Sequence, residues 1–172
     1  MTPDKRKANS FRRLSSQLKK DFKITVELSE QVKEFADNVP DYESSSKNPY
    51  IYAVAMNLQH FYTSLETSFK RIVKELDGDL PEGSSWHREL LEQVTLEIEK
   101  VRPAFISENI KSELDELRRF RHIVRHGYEY ELDWSQIQPL VNSLDEIISQ
   151  LENDYQKFNN FLLKTAEEIE TD

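Results

Sequence analysis

Apolar residues recur at steps of three and four along almost the whole chain. In the first segment the predicted buried stripe consists of Phe11, Leu14, Leu18, Phe22, Thr25, Leu28, Val32 and Phe35. This spacing follows one face of an α-helix, whereas a half-buried strand would alternate at every second residue. Only 3 glycines occur among the 172 residues, so few positions favour the tight turns of a sandwich or barrel. The pattern therefore predicts an all-α fold made of long helices.

Five helices joined by short loops are predicted, in one up-and-down bundle that forms a single domain over residues 1–172. Pro103 breaks the third helix, Ser107 is a candidate N-cap for the fourth, and Gly127 ends the fourth. Asp133 or Ser135 caps the fifth. The five predicted helices cover approximately residues 1–39, 49–76, 86–101, 108–126 and 134–169.

The overall composition narrows the classes of function. A net charge of −9 means that the average surface repels nucleic acid, so any polyanion must meet a local basic patch. The absence of cysteine excludes disulfides and thiolate metal sites. The sequence contains no run of about 18 apolar residues, so no membrane span is predicted. The N-terminus lacks the apolar core of a secretory signal. A cytoplasmic location is expected.

The segment 118-RRFRHIVRHGY-128 concentrates four arginines, two histidines and a tyrosine in the predicted fourth helix. On a helical wheel Arg121 falls about 40° from Leu117, inside the apolar stripe. An arginine there costs several kcal/mol unless a partner or a ligand compensates its charge. One interpretation is a structural salt bridge, for which Glu66 on the second helix is a candidate partner. The other is a binding or catalytic site.

An arginine combined with a histidine fits one particular chemistry. The imidazole of His126 can give or take a proton near neutral pH, and the Arg121 guanidinium can neutralise a phosphate that gains charge. Together they suffice for metal-free RNA cleavage by the ribose 2′-OH. On a straight helix these two side chains point about 140° apart. They converge only if the helix end unwinds at Gly127 or if a twofold axis joins two copies.

These residues resemble a known family. Residues 121–126 fit the R-x4-H motif of HEPN ribonucleases, and extension to Tyr128 gives R-x4-H-x-Y, which resembles the HepT-like toxins of HepT/MntA-type toxin–antitoxin pairs. The flanking segments also resemble one HepT-like subgroup: 58-LQHFYTSLETSFKRIVKELDG-78, 85-SWHRELLEQ-93 and 114-LDELRRFRHIVRHGYEYELDW-134.

The resemblance implies a HEPN helical bundle that acts as a homodimer, with Arg121 and His126 lining a shared cleft. It implies a metal-independent endoribonuclease, the toxin of a type VII system. The implied partner is an MntA-like nucleotidyltransferase antitoxin that transfers AMP to Tyr128, although Tyr130 offers a second hydroxyl nearby. The RNA substrate is expected to contact four residues of the fourth helix: Arg118, Arg119, His122 and Arg125.

Other interpretations remain open beside this one. A non-catalytic helical module could use the same cluster to bind a partner protein or a nucleotide, and a structural subunit could simply bury Arg121 in an ion pair. His122 and His126 have the i, i+4 spacing of helical zinc ligands but lack a third ligand, so no metal and no cofactor is predicted. His87, near a helix start, is expected to pack or cap.

Overall fold

The computed structural model describes residues 2–40, 48–127 and 132–171. Within these ranges the chain forms five α-helices and no strand, apart from an isolated bridge between Ile98 and Arg102. The predicted all-α bundle of five helices is confirmed. The helices are α1 (Pro3–Ala36), α2 (Pro49–Ile72), α3 (Trp86–Thr95), α4 (Lys111–His126) and α5 (Trp134–Thr171).

The starts of two helices follow local capping signals. At α2 the Asn48 side chain accepts a hydrogen bond from the amide of Tyr50 at 2.8 Å, and Pro49 occupies the first helical position. Proline suits that position because its missing N–H has no helical partner there. At α5 the Asp133 carboxylate accepts from the amide of Ser135 at 2.9 Å. Of the two caps that the sequence left open, Asp133 is therefore the one used.

The three long helices α1, α2 and α5 run up and down beside one another. Near the start of α1, Arg12 binds Glu170 near the end of α5 at 2.7 Å. Near the end of α1, Lys33 binds Asp145 near the start of α5 at 2.6 Å. Ion pairs between α1 and the end of α2 show the same antiparallel relation. α1 is therefore antiparallel to both α2 and α5, and α2 and α5 run in the same direction.

One apolar core runs through the bundle, and α2 is its central element. Leu58 and Phe61 of α2 are fully buried, as are Leu144 and Leu162 of α5. Burial of each such side chain stabilises the fold by roughly 1.5–3 kcal/mol. Because α2 packs against all four other helices, residues on its surface meet α3 and α4 directly. No helix in the described ranges has the length and apolar character to cross a bilayer.

The third helix is shorter than predicted, because it ends at Thr95 and not at Val101. The cause is Arg102, whose buried guanidinium donates to both carboxylate oxygens of Asp77 at 2.6 and 2.7 Å. Its other donors bond backbone carbonyls at and after the end of α3. Those acceptors are the carbonyl oxygens of Gln93, Leu96 and Pro103. The apolar spacing up to Val101 predicted a longer helix, but the long-range pairing of Arg102 with Asp77 holds this segment in a non-helical conformation.

Two other helix boundaries differ in detail from the predictions. The α-helical part of the second helix ends at Ile72, and a π-helical turn, Val73–Asp77, continues it. A short 3-10 turn, Glu108–Ile110, precedes α4. The hydroxyl of Ser107 does not cap that turn but donates to the buried carboxylate of Asp154. Ser107 therefore joins this loop to α5 and does not itself begin α4.

Candidate functional site

α4 presents one buried face and one exposed face, and its charged residues are divided between them. Leu114 and Leu117 are buried in the core. His122 and His126 are exposed on the opposite side. Arg121 belongs to the buried face, where only 7% of its side chain is exposed. The wheel placement of Arg121 inside the apolar stripe is confirmed.

The guanidinium of Arg121 is held by two side chains of α2. Its Nη2 lies 3.3 Å from Oε1 of Glu66, a carboxylate that is 2% exposed. Its Nε donates to the hydroxyl of Thr63 at 3.0 Å. Glu66 is therefore the ion-pair partner that the sequence suggested. Of the five guanidinium donors, Nε–H bonds Thr63 and one Nη2–H faces Glu66, and the two on Nη1 make no hydrogen bond within the described part of the chain.

Glu66 has a second contact, from α3. Its Oε2 is hydrogen-bonded to Nδ1 of His87. The His87 ring stacks on Trp86, with ring centroids 3.5 Å apart and planes tilted by 28°. The packing role expected for His87 is present, and the contact with Glu66 adds a polar one. Three helices thus meet at one buried carboxylate.

The hydroxyl of Tyr62 lies in the same charged neighbourhood. The residue is fully buried, and among the described residues this hydroxyl is the one buried side-chain polar atom without a hydrogen-bond partner. Burial raises the pKa of Tyr62, and the negative charge of Glu66 raises it further. The hydroxyl therefore stays protonated and can donate to a water or a ligand.

The remaining arginines of α4 differ in how far they are neutralised. Arg118 donates to Asp115 at 2.7 Å, and Arg119 lies 2.6 Å from the other oxygen of that carboxylate. Burial alone would raise the pKa of Asp115, but the hydrogen bonds and charges of the two arginines outweigh burial and lower it. Arg125 is exposed and makes no ion pair with any residue in the described ranges. Of these three arginines, Arg125 is the most available to an anion.

The two predicted catalytic residues do not meet within one chain. α4 stays helical through His126, and the amide of Gly127 donates to the carbonyl of Ile123 at 2.8 Å, so the helix end does not unwind. The His126 ring lies against that of His122, with centroids 4.6 Å apart, on the face away from Arg121. Of the two routes to convergence, only a second copy of the chain is left.

Some predicted positions fall outside the part of the chain that the structure describes. Tyr128, the expected AMP acceptor, is one of them, and Tyr130 is another. No three His, Asp or Glu side chains among the described residues are grouped as a metal ion would need. The chemistry that the described residues offer is anion binding by arginine and proton transfer by histidine.

Two polar residues of this cluster were not found from the sequence. Thr63 stands three residues before Glu66, and this spacing puts both on one face of α2, so the helical wheel could have indicated it. The contact between His87 and Glu66 had no local signal, because it joins helices across 21 residues of sequence.

Comparison with known proteins identifies the family. The family described as HepT-like protein matches residues 53–162, which is more than half of the chain. The match includes the polar cluster of α2, His87 and the arginine-rich segment of α4, whereas α1 lies outside it. No protein of curated function and no solved structure matches the chain significantly. The chain belongs to the HepT-like family of HEPN helical proteins.

Proposed function

We propose that this protein is a metal-independent endoribonuclease, the toxin of a type VII toxin–antitoxin pair acting in the cytoplasm. Membership of the HepT-like family supports the toxin class. The observation that carries the nuclease proposal is the state of Arg121. Its guanidinium is oriented by Thr63 and Glu66 but keeps Nη1 unbonded within the described chain, five residues before the exposed His126.

The proposed reaction needs no group beyond the RNA and these side chains. An imidazole of His126 takes the proton of a ribose 2′-OH, whose oxygen then attacks the adjacent phosphorus. The bond from phosphorus to the 5′-oxygen breaks, and that oxygen receives a proton from an imidazolium. The products are a 2′,3′-cyclic phosphate and a 5′-hydroxyl. Arg121 stabilises the charge that builds up on the phosphate oxygens in the transition state.

A homodimer is part of the proposal because one chain does not complete the site. Arg121 faces α2, whereas His126 faces outward on the other side of α4. In the proposal a twofold axis beside α4 brings the exposed His126 of one copy toward Arg121 of the other copy, because no single face of α4 holds both groups. Ile123, which stands between the two histidines in the sequence, is 44% exposed and can supply an apolar contact between copies.

RNA binding is assigned to the other cations of α4. Arg125 and His122 are exposed on the helix and are the strongest candidates for contacts with the phosphate backbone. Arg118 and Arg119 share the carboxylate of Asp115, which offsets part of their charge. We therefore assign the larger share of the phosphate affinity to Arg125.

Neutralisation is assigned to an MntA-like nucleotidyltransferase antitoxin. In the proposal this partner transfers AMP from ATP to the hydroxyl of Tyr128, two residues after His126, and pyrophosphate and the phenolic proton leave. Each AMP adds a phosphate and a base next to the arginine-rich segment. The added phosphate then competes with the RNA phosphate for the same cations, and the base blocks the cleft.

One observation favours the second candidate, a non-catalytic module that binds a partner protein or a nucleotide. Arg121 already has an ion-pair partner in Glu66, so its burial does not require RNA. Expression of the protein without the antitoxin separates the two functions. The nuclease halts growth and degrades RNA, whereas the module leaves both unchanged.

The direct test uses a labelled RNA, the purified protein and a chelator. We expect His126→Ala to abolish cleavage while the unfolding midpoint stays near that of the parent. His60→Ala is the matched control, since His60 is an exposed histidine on α2 outside the arginine-rich segment. Undiminished cleavage by His126→Ala, or equal loss in both variants, refutes the assignment of His126.

A further inference from the structure

A continuous series of contacts leads from the surface of α2 through α3 to Arg121. The Nζ of Lys70 lies 4.2 Å from the centre of the Trp86 ring. Trp86 stacks on His87, and His87 is hydrogen-bonded to Glu66. Glu66 in turn is the ion-pair partner of Arg121. His87 is therefore the residue through which α3 acts on the guanidinium.

The hydrogen-bonding groups of Glu66 and His87 fix their roles. A carboxylate oxygen can only accept, so Nδ1 of His87 carries the hydrogen and donates it. This bond fixes the orientation of the Glu66 carboxylate, with Oε2 toward His87 and Oε1 toward Arg121. The guanidinium consequently meets the carboxylate through one nitrogen only, at 3.3 Å. Charge-assisted contacts at full strength are shorter, about 2.7–2.9 Å.

We propose that His87 is a positioning residue for Arg121: by fixing the orientation of the Glu66 carboxylate, it sets the contact through which Glu66 holds the guanidinium in the direction needed to bind an RNA phosphate. Arginine and carboxylate pair through two parallel hydrogen bonds when both oxygens are accessible. Without the bond from His87 the carboxylate could rotate into such a pairing, which would draw a second guanidinium nitrogen toward Glu66 and change the orientation of the guanidinium. The role in catalysis rests on the proposed nuclease function, whereas the effect on the guanidinium does not.

The stacking of His87 on Trp86 restricts the direction in which Nδ1 of His87 can donate. With the ring packed at 3.5 Å between centroids, the imidazole has little freedom to rotate, so Nδ1 remains aimed at Glu66. Glu66 is 2% exposed, and water therefore has little access to replace the donor. Loss of the donor should reorient the carboxylate rather than be compensated by solvent.

The test compares His87→Phe with His87→Asn. Phenylalanine keeps a ring against Trp86 but has no donor, and asparagine restores an N–H near the position of Nδ1. We expect His87→Phe to lower kcat by roughly tenfold to a hundredfold, since small displacements of a catalytic group have effects of that order. KM should change little, and His87→Asn should recover most of the rate.

A second measurement follows the guanidinium itself. The Nε–Hε signal of Arg121 is observed by ¹⁵N NMR and assigned through its loss in Arg121→Lys. We expect this signal to shift in His87→Phe and to return toward the parent position in His87→Asn. A purely structural His87 would lower the unfolding midpoint and leave this signal in place.

The outcomes separate this proposal from the nuclease function. Cleavage by His87→Phe at the parent rate overturns the positioning role, and so does a slow His87→Asn with an unchanged Arg121 signal. If the parent protein cleaves no RNA, the nuclease function fails. In that case the NMR comparison still decides, because an unmoved Nε signal in His87→Phe overturns the effect on the guanidinium.

Discussion

Arg102 and Arg121 are both buried arginines that face a buried carboxylate, yet they are bonded very differently. The side chain of Arg102 is 0% exposed, and its five donors all have acceptors, two on Asp77 and three on backbone carbonyls. Arg121 has one hydrogen bond, to Thr63, and one ion-pair contact, to Glu66. Burial alone therefore does not distinguish the two sites.

The difference lies in the donors that are left over. Arg102 holds the loop after α3 in place and has no donor to offer a ligand. Arg121 is oriented from one side and keeps Nη1 unbonded among the described residues. An arginine with a fixed direction and spare donors is arranged for anion binding, because its orientation is set before the ligand arrives.

The largest effect on stability is expected at Arg102. Arg102→Ala leaves the Asp77 carboxylate buried and unpaired, together with three carbonyls, so the free energy of unfolding should fall by about 3–5 kcal/mol. Urea denaturation followed by circular dichroism measures this change. Arg102→Lys serves as the control, because a lysine ammonium keeps the positive charge but lacks the planar, five-donor geometry of the guanidinium. A loss below about 1 kcal/mol would contradict the role of Arg102 in holding the loop after α3 in place.

Arg121→Ala should cost less stability but all of the proposed activity. Glu66 keeps its bond from His87, so we expect a loss of about 1–3 kcal/mol in the free energy of unfolding. RNA cleavage should disappear at temperatures where the variant remains folded. If Arg121→Ala destabilises the fold as much as Arg102→Ala and no RNA cleavage exists to lose, the contrast between the two arginines is broken.

A smaller change is expected from Thr63→Val, which removes the acceptor for Nε of Arg121 but keeps the shape of the side chain. Because Thr63 is exposed, water can take over the bond, and the free energy of unfolding should fall by about 0.5–1 kcal/mol. The more sensitive measurement is the rate of RNA cleavage: kcat should decrease while KM stays unchanged. Thr67→Val, one turn further along α2, is the matched control and should leave the rate unchanged.

The smallest effect concerns Asp115 and pH. Its pKa in the folded protein is held below the ordinary value of 3.8 by Arg118 and Arg119, against the effect of burial. The interaction of Asp115 with the two arginines therefore stabilises the fold at pH values above the ordinary pKa of 3.8. This contribution is lost as the pH falls through the lower pKa of Asp115 in the folded protein. Relative to Asp115→Asn, the parent should be more stable by up to about 1 kcal/mol at pH 7. Thermal melts of both proteins at pH 7 and below pH 3 test this, and a difference that persists in acid contradicts it.

Most of the fold was predictable because its signals are local. Helix periodicity identified all five helices, and the predicted start of the second helix at about residue 49 agrees with α2. The end of α3 was not predictable in this way. The apolar residue Val101 continued the helical spacing, while the true end depends on Arg102 finding Asp77 across 25 residues of sequence.

The site was predictable to a similar extent. The wheel placed Arg121 on the buried face and suggested Glu66 as its partner, and both expectations are confirmed. It also showed that His126 points elsewhere, which the intact helix end supports. The roles of these residues in catalysis and of Tyr128 in modification stay predictions.

The sequence by itself determined which residues each helix buries and which it exposes, because that division depends only on spacing along a helix of known pitch. The tertiary structure alone decided how the buried charges are shared. Glu66 contacts Arg121 through one oxygen and His87 through the other, and α3 brings His87 from another part of the chain. Hydrogen bonds are short and directional, so their pairing follows from packed helices in three dimensions and is not encoded in local periodicity.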